Sequence, residues 1–346
     1  MSNKLGSIQR EKMQKTFDAI DIVKFISSAL IFTMHCNMLN DYQHIAIVPE
    51  LLARWCVPFF FICSSYFLFS KNVDGNIEKN ILYKYISRIS KLYILWFIFN
   101  MPSIINRLNK KDITVISTWL IFIKDSILSS TYVGSWYLVS SIFSAWFVYL
   151  LSKRLQTKTI NGITFGIYLT GVFTSSYCVL PTEVEKILSF LCFPLNIFCG
   201  CFYFSLGKYI YENRNSIIKI FDKKRSVIGF IIFYLIFIIE IYLTRKFKVC
   251  RTTDMTFSIV FASILLFLFC LQVNIKTNYT VLLRKLSVII FCSQGNVLLI
   301  KNFIRKKNFY SSIVAYLISV IVIFVICCLV LHIQNKNRWK FSKYLT

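Results

Sequence analysis

The chain has 346 residues, 56% hydrophobic and 17% aromatic, with a mean hydropathy of +0.62 and a formal net charge of +25. A soluble domain is about 45–50% apolar, so this composition excludes an ordinary water-soluble enzyme. The charge does not imply nucleic acid, because Lys and Arg fall between apolar runs, where they set membrane topology.

The basic start, residues 1–16, leads into an apolar run with no cleavable signal pattern, so the run is predicted to be retained as a first span. A membrane helix needs about 17–25 mostly apolar residues. On that measure the predicted spans are 20–39, 51–70, 89–106, 136–152, 160–180, 188–207, 227–244, 256–273, 281–300 and 311–333. They lack the period-2 alternation of barrel strands. Residues 113–123 (ITVISTWLIFI) are apolar but short and read as an interfacial or re-entrant helix. The expected fold is an all-α polytopic membrane bundle of about ten transmembrane helices in one domain, 1–346. Basic tails, 1–16 and 334–346, are expected in the cytoplasm. On this plan 25 Lys and Arg lie on the side of the termini and 14 on the other, with Lys24 inside the first span, so both termini face the cytoplasm of a multi-pass cell-membrane protein. The 12 cysteines form no CxxC pair and only three histidines occur, so neither a disulfide framework nor a metal site is expected.

The first span, DIVKFISSALIFTMHCNML, carries an acid, a base and a histidine where lipid is expected. At about 100° per residue, Lys24 and Ser28 each fall roughly 20° from His35, and Asp21 about 40°. These side chains form one stripe, and Lys24 and His35 are about 16–17 Å apart along the axis. Ionisable residues inside a span mark function by default. The plainer alternatives are a snorkelling Asp21–Lys24 pair and an interhelical hydrogen bond from His35.

IDIVKFISSALIFTMH (Ile20–His35) resembles the first helix of the membrane acyltransferase-3 family, with its apolar-Asp-x-x-basic opening and closing His. RWCVPFFFICSSYFLF (Arg54–Phe69), KYISRISKLYILW (Lys84–Trp96), GSWYL (Gly134–Leu138), FSLGKYI (Phe204–Ile210) and LSVIIFCSQ (Leu286–Gln294) resemble later motifs of that family in matching order. Ser65 stands where the family usually has Gly, and Gln294 where many members have His.

The resemblance implies an O-acyltransferase moving an acetyl or similar short acyl group from cytoplasmic acyl-CoA to a hydroxyl of a surface or lipid-linked saccharide outside. Acetyl-CoA would be the co-substrate, with no metal. The partners would be acyl-CoA, the glycan acceptor and membrane lipids, without nucleic acid and with oligomeric state open. His35, as general base, Arg54 and Asp21 are the catalytic candidates. Lys24, Lys84, Arg88 and Lys91, the last three just before the third span, are the candidates for the CoA phosphates. Ser64, Trp136, Glu240 and Gln294 are the candidates for the acceptor, each also compatible with a packing, belt or hydrogen-bonding role. The competing readings are a glycan transporter or flippase, which would not turn over acyl-CoA, and a non-enzymatic assembly partner.

Overall fold

The computed structural model describes residues 17–42, 44–71, 77–109, 116–128, 130–177, 183, 195–249, 252–306 and 311–336. The expected tail 1–16, and 337–346 of the other, lie outside them.

All regular structure in the described residues is helical. The order is α1 (Asp18–His35), α2 (Val48–Ala53), α3 (Cys56–Phe69), α4 (Lys79–Phe99), α5 (Met101–Leu108), α6 (Ile116–Leu128), α7 (Ser135–Ser152) and α8 (Thr157–Gly171). A π-helical turn (Val172–Ser176) follows, then α9 (Leu195–Glu212), α10 (Arg214–Ile220), α11 (Lys223–Lys246), α12 (Phe257–Gln272), α13 (Thr280–Lys306) and α14 (Ser312–Asn335).

The middle is α3, CVPFFFICSSYFLF, which is apolar almost all round and therefore stable only when surrounded. It packs on α1, α4, α7, α9 and α12, and Phe59, Phe61 and Tyr66 are buried to 2% exposure or less. Around it, α13 packs between α1 and α14, α9 against α7 and α8, and α11 against α12.

Among the described residues, five helical stretches are long and apolar enough to cross a membrane: Val48–Phe69, Ser135–Ser152, Lys223–Lys246, Thr280–Arg305 and Ser312–Asn335. The surface agrees. On α11 Ile231, Leu235 and Ile239 are exposed, and on α14 Leu317, Ile321 and Phe324. Such contiguous apolar faces are unsuited to water and suited to hydrocarbon. This is a membrane protein.

Several boundaries differ from those expected. The third apolar segment was expected to begin at 89, but α4 begins at Lys79, because nothing from Lys79 to Phe99 breaks a helix. Lys84, Arg88 and Lys91 therefore lie on α4 rather than before it. The chain resets at Asn100, with Pro102 at the start of α5. The short apolar segment forms α6, whose 13 residues rise only about 20 Å, less than the hydrocarbon core.

The crossing of α3 and α9 is close because both helices present small residues there. Ser65 Oγ donates to the Phe204 carbonyl. A Cβ at Gly207 would meet the Ile62 carbonyl oxygen and Ser65 Cβ, each at 2.6 Å. Backbone cannot move aside as a side chain can. Gly207→Ala is expected to destabilise the bundle by about 1–3 kcal/mol. Thermal unfolding in detergent measures this, and an unchanged midpoint would mean that the helices separate freely.

Candidate active site

His35 is the last residue of α1, where the helix gives way to Asn37 in the left-handed region at φ 44°. It opens onto a cavity of about 110 Å³. The cavity is lined by Ile31 and Met34 beside His35, by Arg54, Val57 and Pro58 at the junction of α2 and α3, and by Gly134 and Trp136 at the start of α7. Asp254 and Met255, from the loop before α12, and Phe291 of α13 close it. Gly134 permits this approach: its φ is +86°, and an added Cβ would lie 3.4 Å from the Phe291 ring.

Arg54 stands in the break between α2 and α3. Its Nε donates to Thr253 Oγ1 at 2.6 Å, one terminal nitrogen to Asp254 and the other to Glu50. Glu50 also accepts from the Thr253 hydroxyl, and from Arg245 at 3.3 Å. Two carboxylates therefore balance the Arg54 guanidinium, which clamps the 253–254 loop beside His35. The same loop is tied on its far side. The Met255 amide donates to Ser176 Oγ at 3.2 Å, and Glu240 accepts from the Phe257 and Ser258 amides at 2.9 and 3.0 Å and from the Ser258 and Tyr177 hydroxyls. Glu240 is thus the carboxylate cap of α12, supplied from α11, and it holds the end of the loop that carries Asp254.

At the other end of α1 the polar stripe is a seam. Asp21 is held by both Arg284 Nε and Nη2, at 3.2 and 2.6 Å. Ser28 Oγ and Ser287 Oγ are 2.7 Å apart, and Ser287 Oγ donates to the Lys24 carbonyl at 3.1 Å. The polar stripe from Lys24 toward His35 is therefore covered by α13 rather than open as a track. Asp21 lies about 21 Å along the helix from His35, in a separate constellation.

Lys24 turns instead toward α3, with its ammonium 5.5 Å from the centre of the Phe67 ring. Near this end Lys71, Lys84 and Arg88 lie together. The Lys71 ammonium is held below its ordinary pKa by burial and then by the positive charges of Arg88 and Lys84. Among the described residues no carboxylate pairs with these three. Lys91 belongs to the same stretch of α4. On α10, Arg214 lies over the Phe17 ring at 5.9 Å, adding an arginine that the sequence did not single out.

Between the two ends lies a group of hydroxyls where α3, α4 and α7 meet. Ser64 Oγ and Tyr137 Oη are 2.9 Å apart, and the Tyr85 and Ser141 hydroxyls lie close by, buried and without a hydrogen-bond partner among the described residues. Gln294 is fully buried on α13.

The structure thus gathers His35, Arg54 and Trp136 in one cavity, and Lys84 with Arg88 at the opposite end. Asp21, Ser64, Glu240 and Gln294 are not among the residues that line the cavity. Asp254, Thr253, Glu50 and Lys71 were missed by sequence reasoning, since a loop acid or a positive residue after a span carries no periodic signal.

The helical bundle thus belongs to a membrane protein that sets a histidine at a helix end beside a clamped arginine, with a positive patch at the opposite end. The family model described as an acyltransferase domain matches residues 17–332, and the chain belongs to the acyltransferase-3 family. It is also similar to two proteins of Enterococcus faecalis named amino-acid racemase. One is 28% identical over 234 residues, covering 64% of this chain and 31% of that protein. The other is 22% identical over 350 residues, covering 94% and 47%. The chain therefore spans about a third to a half of the length of these curated relatives. No solved structure matches it.

Proposed function

We propose that the protein transfers a short acyl group, acetyl in the simplest case, from cytoplasmic acyl-CoA to a hydroxyl of a saccharide or lipid-linked glycan across the cell membrane. The observation that carries the reading is the pairing of two sites along one bundle. One is the cavity shared by His35, Arg54, Asp254 and Trp136. The other is the cluster of Lys71, Lys84 and Arg88, with which no carboxylate among the described residues pairs. In this reading ten helices cross the bilayer, both termini are cytoplasmic, and the Asp21 end faces the cytoplasm.

The residues fit such a donor. Phosphates suit the positive cluster, where arginine can grip two oxygens and lysine adds point charge. The pantetheine arm would pass the Ser64, Tyr85, Tyr137 and Ser141 hydroxyls, which can bond its amides. His35 takes the proton from the acceptor hydroxyl as that oxygen attacks the thioester carbonyl, and returns it to the departing thiolate. Arg54 holds Asp254 at the cavity, where carboxylate and Trp136 ring suit a polyhydroxylated acceptor.

Vesicles containing the full chain, given labelled acetyl-CoA on the cytoplasmic face, test this. Label is expected in the glycan or lipid-linked fraction of the far face. Because the two curated relatives are named for amino acids, hydroxyl-bearing amino acids belong among the acceptors tried. No label in any acceptor would sink the reading.

The positive patch makes its own prediction. CoA binding is expected to weaken with salt, and to weaken as pH rises through the lowered pKa of Lys71, because the ammonium is then lost. Arg88→Ala is expected to reduce CoA affinity about tenfold or more, the value of one charge-assisted contact. Titration calorimetry in nanodiscs reads it. Affinity independent of salt would place the phosphates elsewhere.

A further inference from the structure

The seam between α1 and α13 carries more than packing. The two helices run parallel, since Asp21 meets Arg284 near their starts and the Cys36 carbonyl meets the Lys301 ammonium near their ends. Their register is set by the contact of Ser28 with Ser287 at 2.7 Å. Moving seven residues along each helix advances both by about 10.5 Å and turns both by only about 20°. That step leads from Ser28 to His35 on one helix and from Ser287 to Gln294 on the other. Gln294 therefore stands at the level of His35, on the face turned toward α1.

Gln294 is fully buried. Among the described residues neither its amide nitrogen nor its amide oxygen has a hydrogen-bond partner. A buried amide without partners is costly, and native proteins keep few of them. Phe291, one turn earlier on the same helix, lines the His35 cavity. The amide is thus a buried, unpaired donor at the level of the general base. Arg54 is a weaker candidate for that task, because Asp254, Thr253 and Glu50 already occupy its guanidinium.

We propose that Gln294 is the oxyanion donor of the acyl transfer, its amide N–H bonding the oxygen of the thioester carbonyl as charge builds there. This rests on the acyl-transfer reading above. The acceptor oxygen forms a bond to the carbonyl carbon while its proton passes to the His35 imidazole. The carbonyl π pair moves to the oxygen facing Gln294. Collapse re-forms the C=O bond and breaks the C–S bond, and the thiolate takes the proton back from His35. A fixed amide in a dry site stabilises that oxyanion without reorganisation, and losing one such donor commonly costs about 10²–10³-fold in kcat.

The test is Gln294→Met, which keeps length and removes the amide, beside Gln294→His, which restores a ring N–H. Each is assayed in vesicles with labelled acetyl-CoA and the host lipid extract as acceptor, with thermal unfolding measured on the same samples. Gln294→Met is expected to lose about 10²–10³-fold in kcat with KM nearly unchanged, and to unfold at a higher temperature than wild type. Gln294→His is expected to recover part of kcat. A packing role would move the two readouts together, with stability and activity both falling in Gln294→Met, and that result overturns the proposal. Full activity in Gln294→Met overturns it as well and leaves the acyl-transfer reading standing. A wild type that moves no label overturns both.

Discussion

Replacing His35 by Gln is expected to lower acyl transfer by about 10²–10⁴-fold while leaving the protein folded, the usual contribution of a positioned general base. The two halves of that expectation come from separate observations. His35 lies on the cavity wall with Arg54, Asp254 and Trp136, where an acceptor hydroxyl can reach it. Among the described residues its imidazole makes no hydrogen bond. The substitution therefore removes no interhelical tie, and glutamine keeps comparable bulk and polarity. Label transfer from acetyl-CoA gives the activity, and the unfolding midpoint of the same preparation gives stability. Loss of both together would mean that His35 supports the bundle, as an assembly partner would require. Retention of both would remove it from the chemistry and favour a conduit.

The sequence made much of this bundle legible because a membrane simplifies the problem. Long apolar runs such as those in α11 and α14 face hydrocarbon and must satisfy their own backbone, so their existence could be read directly. Boundaries were less legible. The start of α4 carries Lys79, Lys84 and Arg88, which hydropathy assigns to a loop, although nothing there stops a helix. The stripe on α1 could be computed from helical geometry, but not which partner would cover it. Arg284 and Ser287 lie more than 250 positions away in the chain, and only packing brings them to Asp21 and Ser28. Asp254 was illegible for another reason. It sits in a loop with no period, and its place depends on Arg54, Glu50 and the distant cap from Glu240. His35 and Arg54 were singled out together as catalytic candidates and Trp136 as an acceptor candidate, and the fold places all three around one cavity.

The largest expected effect on stability belongs to Arg54. Arg54→Met leaves Glu50 and Asp254 without the cation they share, in a place where Arg54 is only 16% exposed and Glu50 27%. Breaking a fully buried pair costs about 3–5 kcal/mol; with Asp254 at 55% exposure and Arg245 still near Glu50, about 2 kcal/mol is the expected loss. Activity should fall as well, because the loop carrying Asp254 is no longer drawn to the cavity. Arg54→Lys is expected to behave nearly as badly, since one ammonium cannot reach Thr253, Asp254 and Glu50 in the fork geometry of a guanidinium. A double-mutant cycle separates the two roles. Adding Asp254→Asn to Arg54→Met removes one of the stranded charges, so stability should partly return, with a coupling of about 0.5–3 kcal/mol. Activity should not return with it, because the cavity then lacks both the clamp and the carboxylate. Additive losses of stability would show that Arg54 and Asp254 act independently, and recovered activity would show that neither shapes the acceptor site.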